Sequence, residues 1–170
     1  VFRRLVRDTL THTKLVYIFG TAGEGYAVGR EQFEEIARVF CEEMQDGEAE
    51  PIVGVISPSL SEIQARIEFA CALGARCFMV TLPNWAVCTR AEARSFFEGL
   101  CGKFPDSQFV HYNLKRAGRL VEPEEYAELA GAFPNLVATK NSSDSALFLI
   151  RLFRQAPSLR HFITEPGFPM

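Results

Sequence analysis

Three segments of this 170-residue chain put reactive side chains where apolar runs end. Asn135-Leu136-Val137-Ala138-Thr139-Lys140 reads as a buried parallel strand that finishes on a lysine. An ammonium in a packed interior costs several kcal/mol unless it is paired or gives up its proton, and the neutral amine is a nucleophile toward carbonyl carbon. Lys140 is therefore a candidate Schiff-base residue; the position also suits a lysine that snorkels to solvent or pairs with a carboxylate such as Asp144. A second run closes on His111-Tyr112-Asn113 and is followed by Lys115, Arg116 and Arg119. A tyrosine at a strand mouth can move protons and an arginine can clamp a carboxylate in bidentate fashion; a packed tyrosine beside a solvated basic loop is the plain alternative. The third segment is Gly20-Thr21-Ala22-Gly23-Glu24-Gly25, which can present backbone N–H groups and a hydroxyl to an anion, or serve only as a structural turn. It lacks both the Gly-Lys-Ser/Thr of a Walker loop and the G-x-G-x-x-G dinucleotide fingerprint.

The elements that must position these groups alternate from end to end. Apolar periodicity predicts strands over 15–19, 51–56, 76–81, 108–113, 136–140 and 159–164, which begin about 25 to 35 residues apart, near the size of one βα unit. Between them, three- and four-residue spacing predicts helices over 31–45, 60–73, 90–103, 122–133 and 144–155, after an opening helix over 2–10. Thr89 followed by Glu92 makes a capping box, Glu122-Pro123 places proline in a first turn, and Gly74, Phe133-Pro134 and Ala156-Pro157 stop their helices. Six such units suit an open doubly wound sheet or part of a (β/α)8 barrel, and in both the ligand site lies at the carboxyl ends of the strands. Length by itself favours the open sheet, since a complete barrel takes about 250 residues.

The composition, 48% hydrophobic and 23% charged, suits one soluble globular domain over 1–170. A net charge of -3 without a Lys/Arg block argues against nucleic acid as a partner. No apolar run approaches a membrane span and no signal-peptide h-region opens the chain, so a cytoplasmic location and no membrane partner are expected. Five cysteines with no C-x-x-C spacing argue against a disulfide framework or zinc knuckle; Cys71 and Cys77, among apolar residues, read as core thiols. His12, His111 and His161 are scattered, which gives a histidine metal site little support.

In this order, and each at a strand end, the three segments resemble the motifs of the dihydrodipicolinate synthase and N-acetylneuraminate lyase family. Gly20-Thr21-Ala22-Gly23-Glu24 is similar to its G-T-T-G-E turn, Tyr112-Asn113-Leu114 to its Y-N-V/I-P segment, and Val137-Ala138-Thr139-Lys140 to its G-I-K strand. The resemblance covers nearly the whole chain. It implies an α/β fold, a parallel (β/α)8 barrel present as an incomplete arc of about six strands, and a class I aldolase that forms a lysine Schiff base with pyruvate or another 2-oxo acid and needs no cofactor or metal. It further implies that Lys140 forms the imine and Tyr112 relays protons. Thr21, with Ala22 and Gly23 in the turn, would bind the substrate carboxylate, and Arg116, aligned after one deletion, would bind a second substrate. Homo-oligomers, tetramers or dimers, are the family's habit. Ala22 stands where a second hydroxyl is usual, and Asn84 and Trp85 stand where dihydrodipicolinate synthases carry a tyrosine pair. Those departures argue against a true dihydrodipicolinate synthase and leave the second substrate open. In the family's frame the first and last strands are missing, and Met170 directly after Gly167-Phe168-Pro169 is an odd place to stop, so a fragment of a longer protein is expected. A degenerate, non-catalytic binding module and an open flavodoxin-like domain are the competing readings.

Overall fold

The alternation of helix and strand is realised as read, with the strands expected over 15–19, 51–56, 76–81 and 159–164 shorter than their patterns. The structure, a computed structural model, describes residues 1–143 and 145–164; Asp144 and the Gly167-Phe168-Pro169-Met170 segment lie outside the described residues. The chain divides into two compact units, Val1–Met79 and Val80–Met170.

The first unit carries α1 (Phe2–Leu10), β1 (Tyr17–Ile18), α2 (Arg30–Asp46), β2 (Ile52–Gly54), α3 (Leu60–Ala72) and most of β3 (Cys77–Val80). β1 pairs parallel to β2, with Tyr17 opposite Ile52, and β2 pairs parallel to β3, with Gly54 opposite Met79. Three- and four-residue spacing on α2 turns Phe33, Ala37, Phe40 and Met44 into the core, each burying a side chain worth about 1.5 to 3 kcal/mol for the larger ones. Helix α1 buries only Val6 and is held to α2 by charge: Arg3 and Arg7 both reach the buried Glu43, at 2.8 Å and 2.9 Å to its Oε1. The two guanidiniums hold that carboxyl below the usual carboxylate range. Helix α3 starts on Ser59, whose hydroxyl accepts from the Glu62 amide, and ends where Gly74 turns left-handed at φ +88, with the Ala75 amide donating to Ala70 O at 3.0 Å.

The second unit carries α4 (Arg90–Phe97), β4 (Gln108–Asn113), α5 (Pro123–Ala132), β5 (Leu136–Asn141), α6 (Ala146–Gln155) and β6 (Arg160–Ile163). β4, β5 and β6 are parallel neighbours in chain order. The helix expected over 90–103 is α-helical only to Phe97 and continues as a π-helical stretch, Glu98–Gly102. Its start is the capping box read from the sequence, with the Glu92 amide donating to Thr89 Oγ1 and the Thr89 amide donating to Glu92 Oε2. Helix α6 begins later than 144 because Ser145 caps it, accepting from the Phe148 amide at 3.3 Å.

The thiols differ from expectation. Cys41 and Cys101 are the buried ones, while Cys71 and Cys77 are half-buried, and none of the five forms a disulfide. Burial pushes Cys41 and Cys77 up to about 11 and Cys101 up to about 12, so none of these three supplies a thiolate at neutral pH. Among the described residues no helix is long and apolar enough to cross a membrane.

Candidate active site at the strand ends

In the second unit, Tyr112 of β4 and Lys140 of β5 are register partners one residue before their strands end. Their shared face follows from an irregularity. From Phe109 to Val110 the ladder advances one residue on β4 but two on β5, from Leu136 to Ala138, so Val137 is an extra residue that resets which way the rest of β5 faces. The even-numbered positions beyond it, Ala138 and Lys140, then share a face with Val110 and Tyr112. The odd-numbered ones face the helices: His111 meets Tyr126 of α5 and Phe97 of α4, and Thr139 meets His161, whose ring packs on Phe153 of α6. Lys140 and Tyr112 therefore lie on the face turned away from α5 and α6. Both are half-buried, and the Lys140 Nζ rests 4.1 Å from the centroid of the Tyr112 ring, the geometry of an ammonium on a π face.

The opposite face of the same strand ends holds a buried polar chain. His161 Nε2–H donates to Ala156 O at 2.9 Å, which leaves Nδ1 to accept from the Thr139 hydroxyl at 2.7 Å. Thr139 Oγ1 accepts from Asn141 Nδ2 at 2.7 Å, and Asn141 Oδ1 accepts from Asn113 Nδ2 at 3.2 Å. Asn113 also closes on Val121, accepting its amide at 2.8 Å and donating to its carbonyl at 3.0 Å. From Asn113 through Asn141, Thr139 and His161 to Ala156 the donors run one way, and His161 is neutral there, its pKa lowered by burial. The chain ties β4, β5 and β6 together directly behind Tyr112 and Lys140. Removing one member leaves a buried group unsatisfied, at about 1 to 3 kcal/mol.

The sequence reading missed this chain. The available signal was Thr139 and Asn141 flanking Lys140 inside a strand otherwise made of apolar residues, since polar side chains on the helix-facing side of a buried strand must find one another.

After β4 the chain makes a 3-10 turn, Lys115–Ala117, closed by Gly118 at φ +88. Lys115 and Arg116 are exposed on it. The arginine that the fold pins is Arg119: its Nε donates to Cys88 O at 2.6 Å, and its two terminal nitrogens grip Glu125 at 2.7 Å and 2.9 Å. This fork fastens the 82–89 loop, which exposes Trp85, to the start of α5. The Arg119 guanidinium also draws the Glu125 carboxyl below its ordinary range, although burial pushes the other way and is the larger single influence. Arg119→Met leaves a largely buried carboxylate and a carbonyl without their partner. It is expected to cost about 2 kcal/mol after allowance for partial exposure, read as a lowered urea midpoint at pH 7, whereas an unchanged midpoint sinks this assignment.

In the first unit, Thr21, Ala22 and Gly23 sit at the lip of the turn after β1, Thr21 half-buried and the other two exposed. The turn folds on itself: Glu24 donates to Thr21 O, Gly25 to Gly20 O and Ala27 to Glu24 O, at 3.2, 3.2 and 2.8 Å. The amides of Thr21, Ala22 and Gly23 take no part in these three bonds. Gly25 is required here, because a Cβ would lie 2.2 Å from Phe19 O. The turn borders a cleft of about 530 Å³ lined by Phe2, Tyr17, Phe19, Gly20, Ala22 and Gly23, among others. Among the described residues no group of three or more His, Cys, Asp or Glu is gathered to hold a metal ion.

These six parallel strands, each followed or preceded by a helix, define an incomplete (β/α)8 barrel, and comparison with solved structures shows the same fold. A dihydrodipicolinate synthase from Cyanidioschyzon merolae with lysine bound superposes with a TM-score of 0.88 at 21% identity, over 95% of this chain and 55% of that one. An E. coli prophage protein of the dihydrodipicolinic acid synthase family, in complex with pyruvate, gives 0.86 at 20% identity over 94% of this chain and 55% of that one. At those identities the likeness establishes the fold alone. In the first unit β2 lies between β1 and β3, which sets aside the flavodoxin-like alternative, whose order places the first strand between the second and the third. The Dihydrodipicolinate synthetase family model matches residues 3–162, so the chain belongs to that family. A 4-hydroxy-tetrahydrodipicolinate synthase of Thermus thermophilus is 28% identical over 142 residues, 83% of this chain. The chain spans about half the length of that curated relative, 47%.

Proposed function

We propose that the protein of which this chain is part is a lyase or aldolase that forms an imine between Lys140 and pyruvate or another 2-oxo acid. The observation that carries this reading is the placement of Lys140 Nζ on the Tyr112 ring, on the helix-free face of adjacent strand ends. A lysine that merely snorkelled to solvent would not need that bed.

The chemistry runs through the amine. Lys140 gives up a proton, its nitrogen attacks C2 of the oxo acid, and the carbinolamine expels water to leave a protonated imine. That imine withdraws electrons from C3, so loss of a C3 proton yields an enamine able to add to a carbonyl, or the reverse sequence cleaves a carbon-carbon bond. Tyr112 carries the protons of carbinolamine formation and collapse, a role typically worth about 10²- to 10⁴-fold in rate. Thr21 and the amides of Ala22 and Gly23 receive the oxo acid's carboxylate, as an anion is received by free backbone N–H groups. Arg116, exposed beyond β4, is assigned to the carboxylate of a second substrate. That arginine, with Asn84 and Trp85 in the exposed loop, is where the identity of the second substrate is decided in this reading.

Trapping tests the proposal. Incubating the intact protein with pyruvate and borohydride is expected to leave a reduced pyruvyl group on Lys140, located by peptide mass. Label on a different lysine, or none across several 2-oxo acids, defeats the aldolase reading and favours the non-catalytic binding module.

A further inference from the structure

The first unit contains a buried cation that the imine chemistry does not use. Arg66 on α3 is 7% exposed and spends its guanidinium on three segments: Nη2 donates to Val28 O at 2.9 Å, Nη1 to Ile56 O at 3.0 Å, and Nε to Glu62 at 3.2 Å. Its Cζ lies 4.9 Å from the centroid of the Phe33 ring, over that ring, and Phe33 stacks on Phe19 at 4.8 Å with an interplanar angle of 28°. Phe19 is the residue before Gly20, and it stands at φ 61, a left-handed conformation that a bulky residue holds only when its surroundings insist. Val28 is where the same excursion of chain ends, two residues before α2. Both ends of the Gly20 turn are thus fastened by one side chain, the exit by a hydrogen bond and the entry through the Phe33–Phe19 stack.

We propose that Arg66 is a positioning residue for substrate carboxylate binding: it holds the turn after β1, which carries Thr21, Ala22 and Gly23, in one shape, without touching the ligand. This rests on the aldolase reading above. The physical reason is preorganisation. Phe19 left alone relaxes from φ 61 toward the ordinary allowed regions, and with it go the Gly20 carbonyl that Gly25 needs and the close approach of Gly25 to Phe19 O. Arginine is the required type, since an ammonium cannot reach two carbonyls and also lie flat on a ring.

The test separates carboxylate binding from general stability. In the intact protein, borohydride trapping on Lys140 is measured against concentration for pyruvate and for hydroxyacetone, a ketone with no carboxylate. Arg66→Met is expected to raise the half-saturating pyruvate concentration about 10-fold, the size of one lost charge-assisted hydrogen bond, while trapping at saturation and the hydroxyacetone curve stay at wild-type values. Arg66→Lys is expected to fall between the two, and it carries the test alone where Arg66→Met does not fold. A half-saturation within about twofold of wild type, or an equal loss for both ketones, overturns the assignment and leaves Arg66 as a fold anchor only. A wild-type protein that traps no pyruvate overturns the aldolase reading and this inference with it, whereas normal trapping with an unmoved half-saturation overturns this inference alone.

Discussion

Lys140→Ala is expected to remove all borohydride-stable labelling and all turnover from the intact protein, and Tyr112→Phe to keep saturable labelling while slowing turnover by about 10²- to 10⁴-fold. The two variants differ because the residues do different things to the same molecule. In the proposed mechanism lysine supplies the atom that becomes the imine nitrogen, which alanine cannot replace. Tyrosine supplies a proton path, which water replaces poorly but not never. Phenylalanine also keeps the ring on which the lysine nitrogen rests, at 4.1 Å, so the amine stays in place and the loss falls on the proton-transfer steps. Kinetics check this through kcat and the half-saturation for pyruvate measured separately: kcat falls steeply and the half-saturation moves little. A Tyr112→Phe enzyme with wild-type kcat removes the proton relay from the scheme, and residual labelling in Lys140→Ala removes Lys140 itself.

How legible this arrangement was depends on whether the determining contacts are local. β4 is found at the bounds its pattern predicts, because Phe109, Val110 and His111 are buried in succession, on both faces of the strand. The capped starts of α4 and α5 are legible because capping acts within four residues. The Tyr112–Lys140 pair was suspected from types and order, but its shared face was not derivable, because it turns on one extra residue, Val137, that only strand pairing exposes. Arg116 and Arg119 look alike in the sequence; the fold exposes the first and commits the second to Cys88, 31 positions away, and to Glu125. The helix over 90–103 was read as one element because spacing does not distinguish α from π winding once Leu100 and Cys101 are both buried. Cys71 and Cys77 were over-read as core for a related reason: apolar neighbours in sequence do not establish enclosure in space.

The second large effect is on stability in mild acid, and it centres on His111. Its ring is buried at 1% exposure between Phe97 and Tyr126, with Nδ1 at 2.6 Å from the tyrosine hydroxyl. With the phenol, the better donor, assigned to donate to Nδ1, Nε2 carries the hydrogen, and Nε2 has no hydrogen-bond partner among the described residues. A site that leaves even the neutral ring short of one bond has nothing to offer a second proton. Burial first, and the Arg119 charge second, press the His111 pKa down to about 3. The folded value lies below the unfolded one, near 6.5, so between the two the unfolded chain binds a proton that the native chain refuses. The contribution is fully present above pH 6.5 and is lost as pH falls toward 3, with about 4 to 5 kcal/mol as the ceiling over that span. His161, lowered by burial as well, adds loss in the same direction. Carboxylates held low by arginine, Glu43 and Glu125 among them, act the same way but only as pH drops through their own range, so the interval from pH 6.5 to 5 belongs to the histidines. Urea midpoints of wild type and His111→Leu, taken at pH 7, 6 and 5, decide the matter. The wild-type midpoint is expected to drop steadily across the series, and the leucine variant, which also removes the unpaired Nε2–H, is expected to hold most of its pH 7 value at pH 5. Parallel falls in both proteins would place the acid sensitivity elsewhere than His111.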